Sequence, residues 1–314
     1  MKTLFSLFLL VSTLFSSNEA VLQYKTSGAV TDMLKYDNRL YVATNASSVE
    51  VFDIKTAKKL ESISLPKIKD FMGDIIDSKV YSVDVNDKKV VILSQGNDGF
   101  RRVHIYENKK LNLLISKKDR LFMSKVKFLD EDTLVLGLLG NEIISYDISK
   151  QKINWRVQVS HSKFSDLALN EKKDEIVVAD ESGDIKLYST NKGTLLDTLS
   201  GQNLDNVFQV DYKKGIVATA GQDRRVVIYD IENFSAYYKK APFLIYSVGL
   251  SPSGTRVAYA SDENNNITVF NTKTRETLGK FTGNKMTLTK IIFLDEENFL
   301  AASDDNIINL FQVK

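Results

Sequence analysis

A chain of 314 residues with 42 basic and 40 acidic side chains carries a formal charge of only +2, which gives no reason to expect a polyanionic partner and argues against nucleic acid. The absence of cysteine removes disulfides, thiolate metal sites, a cysteine nucleophile and lipid attachment to an N-terminal cysteine together. With 3 Pro against 17 Phe and 13 Tyr, and many Val and Ile, the composition favours pleated, half-buried strands over helices.

Lys2 precedes an apolar run from Leu4 to Phe15, broken only by Ser6, Ser12 and Thr13. Such a run is shorter than the roughly 20 apolar residues that cross a bilayer. Small residues follow at Ser16, Ser17 and Ala20, so residues 1–20 have the layout of a secretory signal peptide, with a retained anchor as the alternative. We therefore expect residues 21–314 to form one domain in a bacterial periplasm, without stable membrane insertion once the leader is removed. A secreted chain without disulfides must be held by packing and backbone ladders.

Val21 to Lys25 reads as a strand and leads into Thr26-Ser27-Gly28, in the same sense as the later TLLDTLSG and ETLGKFTG. Next come MLKYDN, RLYVATN, VEVFDI and KLESISL, four short runs separated by polar turns. A comparable set starts at Val80, another carries VKFLDED, TLVLGLLG, EIISYDI and KINWRVQV, and four more follow. The third run of each set ends on an aromatic: Phe52, Tyr106, Tyr146, Tyr188, Tyr229, Phe270 and Phe311, at intervals of 54, 40, 42, 41, 41 and 41 residues. The match extends beyond the aromatic. Arg101-Arg102-Val103-His104-Ile105-Tyr106 repeats as Arg224-Arg225-Val226-Val227-Ile228-Tyr229, and Val80-Tyr81-Ser82-Val83-Asp84 answers to Val207-Phe208-Gln209-Val210-Asp211.

A period near forty made of short strands and turns implies a β-propeller with one four-stranded blade per repeat, so the chain is all-β with seven blades. The turns YDN, NDKK, DED, NEKKD, YKKG, SPSG and DEEN supply the hairpin chemistry of such a meander. The chain stops at Lys314, three residues past the last aromatic. The seventh blade thus lacks an outer strand of its own, and the N-terminal strand is expected to supply it and remove the open edges.

One connection is irregular. Blade two begins about a dozen residues late, and the excess falls in Pro66 to Lys79, PKIKDFMGDIIDSK. Inserts in repeat proteins map to loops on one face, often the binding face. Phe71, Met72, Asp74, Ile75 and Ile76 are therefore the candidate partner-binding residues, the alternative being a loop or short helix that covers its own neighbour.

Residues with obvious chemistry are sparse. The two histidines, His104 in a strand and His161 before blade four, come from separate blades and make a poor metal pair. Acidic pairs at Asp304-Asp305, Asp262-Glu263 and Glu181 with Asp184 lie in turns and lack a complete calcium-loop spacing, which favours local turn capping. Neighbouring arginines at 101–102 and 224–225 point to opposite faces of a strand. Gly96-Asn97-Asp98-Gly99 is a flexible turn with no helix after it to make a phosphate loop. No catalytic residue, metal ligand or cofactor is assigned.

Gly221-Gln222-Asp223-Arg224-Arg225-Val226-Val227-Ile228-Tyr229-Asp230 resembles the turn, strand and closing Trp-Asp of the WD-repeat propellers, with Tyr229 in place of Trp. That family's structural network joins a Gly-His pair, a turn Asp and the Trp. The resemblance implies that Ser160-His161 is a degenerate Gly-His, and that Asp223 and Asp305, six residues before their aromatics, are the turn acids. It implies a scaffold more than an enzyme. A leader joined to a cysteine-free, Lys- and Asn-rich propeller also resembles the NapL-type accessory proteins of periplasmic nitrate reductase systems. This implies a non-catalytic role in assembly, maturation or electron supply, with nitrate reductase subunits or maturation factors as partners.

Two resemblances point elsewhere. LYVATN is similar to the YVTN-type repeat of surface and lactonase-like propellers, and YDISKQKINWRVQV to one repeat of the quinoprotein propellers, although Trp155 stands alone. The alternatives are thus an outer-membrane assembly scaffold or, further off, a lactonase or quinoprotein enzyme.

Overall fold

Each stretch of alternating apolar residues folds with its neighbours into a four-stranded antiparallel sheet, and seven such sheets make a β-propeller consistent with the WD-repeat class. The computed structural model describes residues 18–313. Innermost strands, from blade one to blade seven, are Val30–Tyr36, Val80–Asn86, Met123–Phe128, Phe164–Leu169, Val207–Lys213, Val248–Leu250 and Leu288–Phe293. In blades one to six the chain then meanders outward, as in Arg39–Thr44, Ser48–Asp53 and Lys59–Ser64 of blade one. Blade seven holds Asn298–Ser303 and Ile307–Gln312, and its outermost strand is Leu22–Lys25, paired antiparallel with Ile307 to Leu310.

The core lies between sheets and not within them. Val49, Val51 and Ile63 of blade one meet Val83, Val85 and Ile92 of blade two in one buried cluster, and Leu187 and Ile185 of blade four meet Val210 and Val217 of blade five in another. Second and third strands are therefore apolar on both faces, as in Val177, Val178 and Ala179. A single blade exposes two such faces, so stability comes from stacking neighbours. Neighbouring innermost strands approach so closely that a Cβ on Gly249 would sit 2.7 Å from the Ile291 carbonyl oxygen of the next blade.

Tyr24 fixes the closure. Its ring is fully buried and meets Phe52 edge-on at 5.9 Å, and its hydroxyl donates to the Ile54 carbonyl of blade one at 2.5 Å. One side chain thus ties the first described strand, which pairs with the last blade, to blade one as well. Asn18 extends the tie, donating its amide to Lys280 O at 3.1 Å and accepting from Thr282 N at 3.1 Å. Most of the expected leader, residues 1–17, lies outside the described residues.

Trp155 is a bracket between blades. Its indole N–H donates to Thr190 O of blade four at 3.0 Å, and it packs where a Cβ on Gly193 would stand 2.8 Å from the ring. His104, on the third strand of blade two, is 4% exposed and its Nδ1 has no hydrogen-bond partner. Burial, helped by the nearby Arg102 charge, pushes its pKa down to about 4.

Two outcomes are expected. Removing residues 18–25, or changing Tyr24→Ala, lowers unfolding free energy by about 3 kcal/mol or more, and Tyr24→Phe by about 1 kcal/mol, measured by urea denaturation. Because the folded-state pKa of His104 lies below that of the unfolded chain, the unfolded state binds the extra proton and stability falls as pH drops from about 6.5 towards 4. Between pH 7 and 4.5 the wild type should lose about 2 kcal/mol more than His104→Leu.

Candidate functional site

Chain direction sorts the loops. The connection entering each innermost strand and the turn between second and third strands fall at the same end of every blade, so both sets decorate one face around the channel mouth. The opposite face carries the remaining turns.

The insert is a β-hairpin on this loop face, not a helix. Ile68–Lys69 pairs with Ile75–Ile76, and Gly73 takes a φ of +93° that permits the tight reversal. Asp70 Oδ1 accepts from the amides of Met72 and Asp74, each at 2.9 Å. The base is anchored: Ile68 is buried, Asn97 Oδ1 accepts from Lys69 N at 3.0 Å, Arg102 donates to the Pro66 carbonyl, and Asp77 accepts from Ser47 Oγ at 3.0 Å. The tip is bare, with Phe71 95%, Met72 73% and Ile75 70% exposed. Asp74 is exposed as well, while Ile76 is half-buried. The side chains of Phe71, Met72 and Ile75 at the tip cover no neighbour, whereas Ile68 and Ile76 pack at the base.

Other apolar side chains share this face. Phe122, Leu204, Phe243 and Met286 are exposed in the connections entering blades three, five, six and seven. Phe122 stacks on Phe100 at 5.2 Å, beside the turn that supports the hairpin. That turn, expected to be flexible, closes by Gly96 N to Phe100 O at 2.7 Å and carries the Asn97 anchor.

Inside the rim lies a cavity of about 510 Å³. Its shape follows from a repeated backbone irregularity. Pairing with the second strand shifts register after Val30, Val80, Met123, Phe164, Val207 and Leu288, leaving one extra residue at the entrance of six innermost strands. A bulge breaks the alternation of side chains. Successive residues such as Thr31 and Asp32, or Ser124 and Lys125, therefore both face the lumen. The mouth layer holds Tyr81, Phe208 and Tyr246 among hydroxyls, and the layer below holds Asp32, Lys125, Asp166, Gln209 and Lys290.

This lower layer forms a waist. Lys125 and Lys290 line both this cavity and a second one of about 440 Å³ that opens to the other face. Lys125 Nζ donates to Asp166 Oδ1 at 2.7 Å, and Gln209 Nε2 reaches Thr289 O at 2.6 Å. Burial opposes the charge on Lys125, but Asp166 and Asp32 raise its pKa above the ordinary lysine value. Burial equally opposes ionisation of Asp32, yet Lys125, Lys127 and Lys290, with the Val83 amide, hold its carboxyl below the usual range. Lys290 goes the other way: burial and the neighbouring Lys125 charge depress its pKa.

The aspartates also stitch the wall. Asp32 Oδ2 accepts from Val83 N at 3.2 Å, Asp84 Oδ2 from Phe128 N at 2.8 Å, Asp166 Oδ2 from Val210 N at 3.3 Å and Asp211 Oδ2 from Leu250 N at 2.8 Å. Each carboxylate reaches the innermost strand of the following blade. Sequence reasoning missed this role, although the matching Asp84 and Asp211 already stood in the internal repeat.

The expected WD-type network is corrected in detail. His161 is exposed, and it is Ser160 Oγ that donates to Asp180 at 2.7 Å, joined there by Asn141 Nδ2 at 2.8 Å. Tyr229 is served not by Asp223 but by Asn203, whose Nδ2 donates to the phenol at 3.0 Å and whose Oδ1 accepts from Thr219 Oγ1 at 2.8 Å. Asp223 accepts from the amides of Leu204 and Arg225. Asp305 caps its own turn at Asn306 N. Arg224 lies in a turn with φ of +63° and not in a strand, while Arg101 and Arg225 lie over Tyr81 and Tyr238 at 3.8 and 4.0 Å.

Removing one partner of the buried pair leaves the other charge uncompensated. Asp166→Ala should therefore cost about 3 kcal/mol of unfolding free energy, and the double change with Lys125→Met appreciably less than the sum of the two singles, measured by a double-mutant cycle in urea.

Comparison with known proteins found no family model that matches the chain and no similar sequence among the curated proteins.

Proposed function

We propose that the protein is a non-catalytic scaffold that holds a protein partner on its loop face. The observation that carries this reading is the hairpin at Pro66 to Lys79: a rigidly anchored base that presents Phe71, Met72 and Ile75 to solvent. Apolar groups held in place lose little freedom on binding, so their burial is converted into affinity with small ordering cost. The exposed Phe122, Leu204, Phe243 and Met286 stand on the same face in the entries of other blades. Supporting the non-catalytic role, Asp32 and Asp166, the carboxylates best placed for acid–base work, are engaged by backbone amides of the next blade.

The partner we favour is periplasmic nitrate reductase, its subunits or its maturation factors, with the scaffold serving assembly, maturation or electron supply. The support is the resemblance carried by the leader-like N-terminus and the cysteine-free propeller.

The test is affinity capture from periplasmic extract of the cells that make the protein, comparing wild type with a variant carrying Phe71→Ser, Met72→Ser and Ile75→Lys. Nitrate reductase or its maturation partners should come down with the wild type, and at least tenfold less with the variant. Equal capture by both would move the contact away from the hairpin, and capture of outer-membrane assembly proteins in its place would replace the favoured partner.

A further inference from the structure

We propose that the loop-face half of the channel binds a small organic monoanion, a carboxylate carried on a flat apolar body. The argument begins with which polar groups in the lumen are already satisfied. Lys125 is paired with Asp166 at 2.7 Å. Asp32 takes the amides of Met33 and Val83 at 3.0 and 3.2 Å, and Asp166 takes Val210 N. Lys290 feels the charges of Lys125, Asp166 and Asp32 but, among the described residues, forms no ion pair with either carboxylate, and it faces the cavity. Ser124 brings a hydroxyl into the same cavity, again without a partner among the described residues. A carboxylate with one oxygen on Lys290 and the other on Ser124 completes both. The charge of such a partner also offsets the burial and the Lys125 repulsion that depress the Lys290 pKa.

Charge sets the valence. The cavity is lined by Lys79, Arg101, Lys125 and Lys290 against Asp32, Asp166 and Asp304, an excess of one positive charge. One negative charge neutralises the lining, whereas a second would be buried without compensation.

The walls set the body. Phe208 and Tyr246, stacked on each other at 5.3 Å with an interplanar angle of 13°, bring aromatic surface to the lining. Tyr81 also lines the cavity, its ring held by the Arg101 guanidinium at 3.8 Å, and Arg101 is itself fixed by its bond to Met123 O at 2.6 Å. Aromatic rings held in the lining favour a planar guest, and about 510 Å³ is within the size range of small-ligand sites.

The experiment is calorimetric titration of the whole chain with 2-naphthoate and, separately, with its uncharged analogue 2-naphthylmethanol. One naphthoate should bind per chain, with the alcohol at least tenfold weaker, a comparison that needs no variant. Lys290→Met should lower naphthoate affinity tenfold or more while the circular dichroism spectrum is kept. If that variant fails to fold, Ser124→Phe, which places a ring in the same cavity, should abolish binding. No binding to the wild type, equal binding of the alcohol, or undiminished binding by a folded Lys290→Met would each overturn the proposal.

Discussion

The architecture depends on an edge that strand pairing cannot satisfy. Seven sheets converge on an axis, and there the innermost strands lie side by side without a backbone ladder between blades. Amides facing the next blade need acceptors, since an unpaired buried N–H costs about 1–3 kcal/mol. Asp32, Asp84, Asp166 and Asp211 provide them across four blade junctions, and Lys125 bridges to Asp166 across another. Hydroxyls act in the reverse sense: Thr31 Oγ1 donates to Val80 O at 2.6 Å and Thr289 Oγ1 to Val30 O at 3.0 Å. The channel wall is thus held by side chains, and its polarity is first a structural requirement.

That requirement explains why fold and site differ so much in legibility. Blade number follows from the spacing of Phe52, Tyr106, Tyr146, Tyr188, Tyr229, Phe270 and Phe311, because each stands near the end of the third strand of its blade. The waist is not legible in the same way. Reading a strand with a period of two places Thr31 and Asp32 on opposite faces, or Ser124 and Lys125, and the bulge brings both into the lumen. Asn203 was equally hidden, because it lies in a connection where no periodicity fixes a residue to a place, yet it and not Asp223 holds the Tyr229 phenol. The insert was legible as a deviation in spacing, and its composition already suggested contact with something apolar. That Phe71 and Met72 point outward could be read only from the hairpin.

The loop face therefore joins two surfaces of opposite character. Its rim is apolar and carried on anchored loops, whereas its centre is charged and walled by rings. The hairpin runs directly into Lys79 and Tyr81, the first residues of the channel wall in blade two. A protein seated on the rim would also close the mouth of the cavity, so occupancy of one surface limits exchange at the other. Coupling of this kind needs only a shared lid and no change in the propeller itself.

The closing strand fixes when the molecule can exist. Leu22 to Lys25 pair with Ile307 to Leu310, so the first described strand waits for the last. The two strands stand at opposite ends of the described residues. Until they meet, Leu22 to Lys25 have no partner strand, and Tyr24 has only the blade-one side of its pocket, Phe52 and Ile54. The ring is therefore closed by a single pairing between strands far apart in sequence, and the blades have no closed ring before it forms.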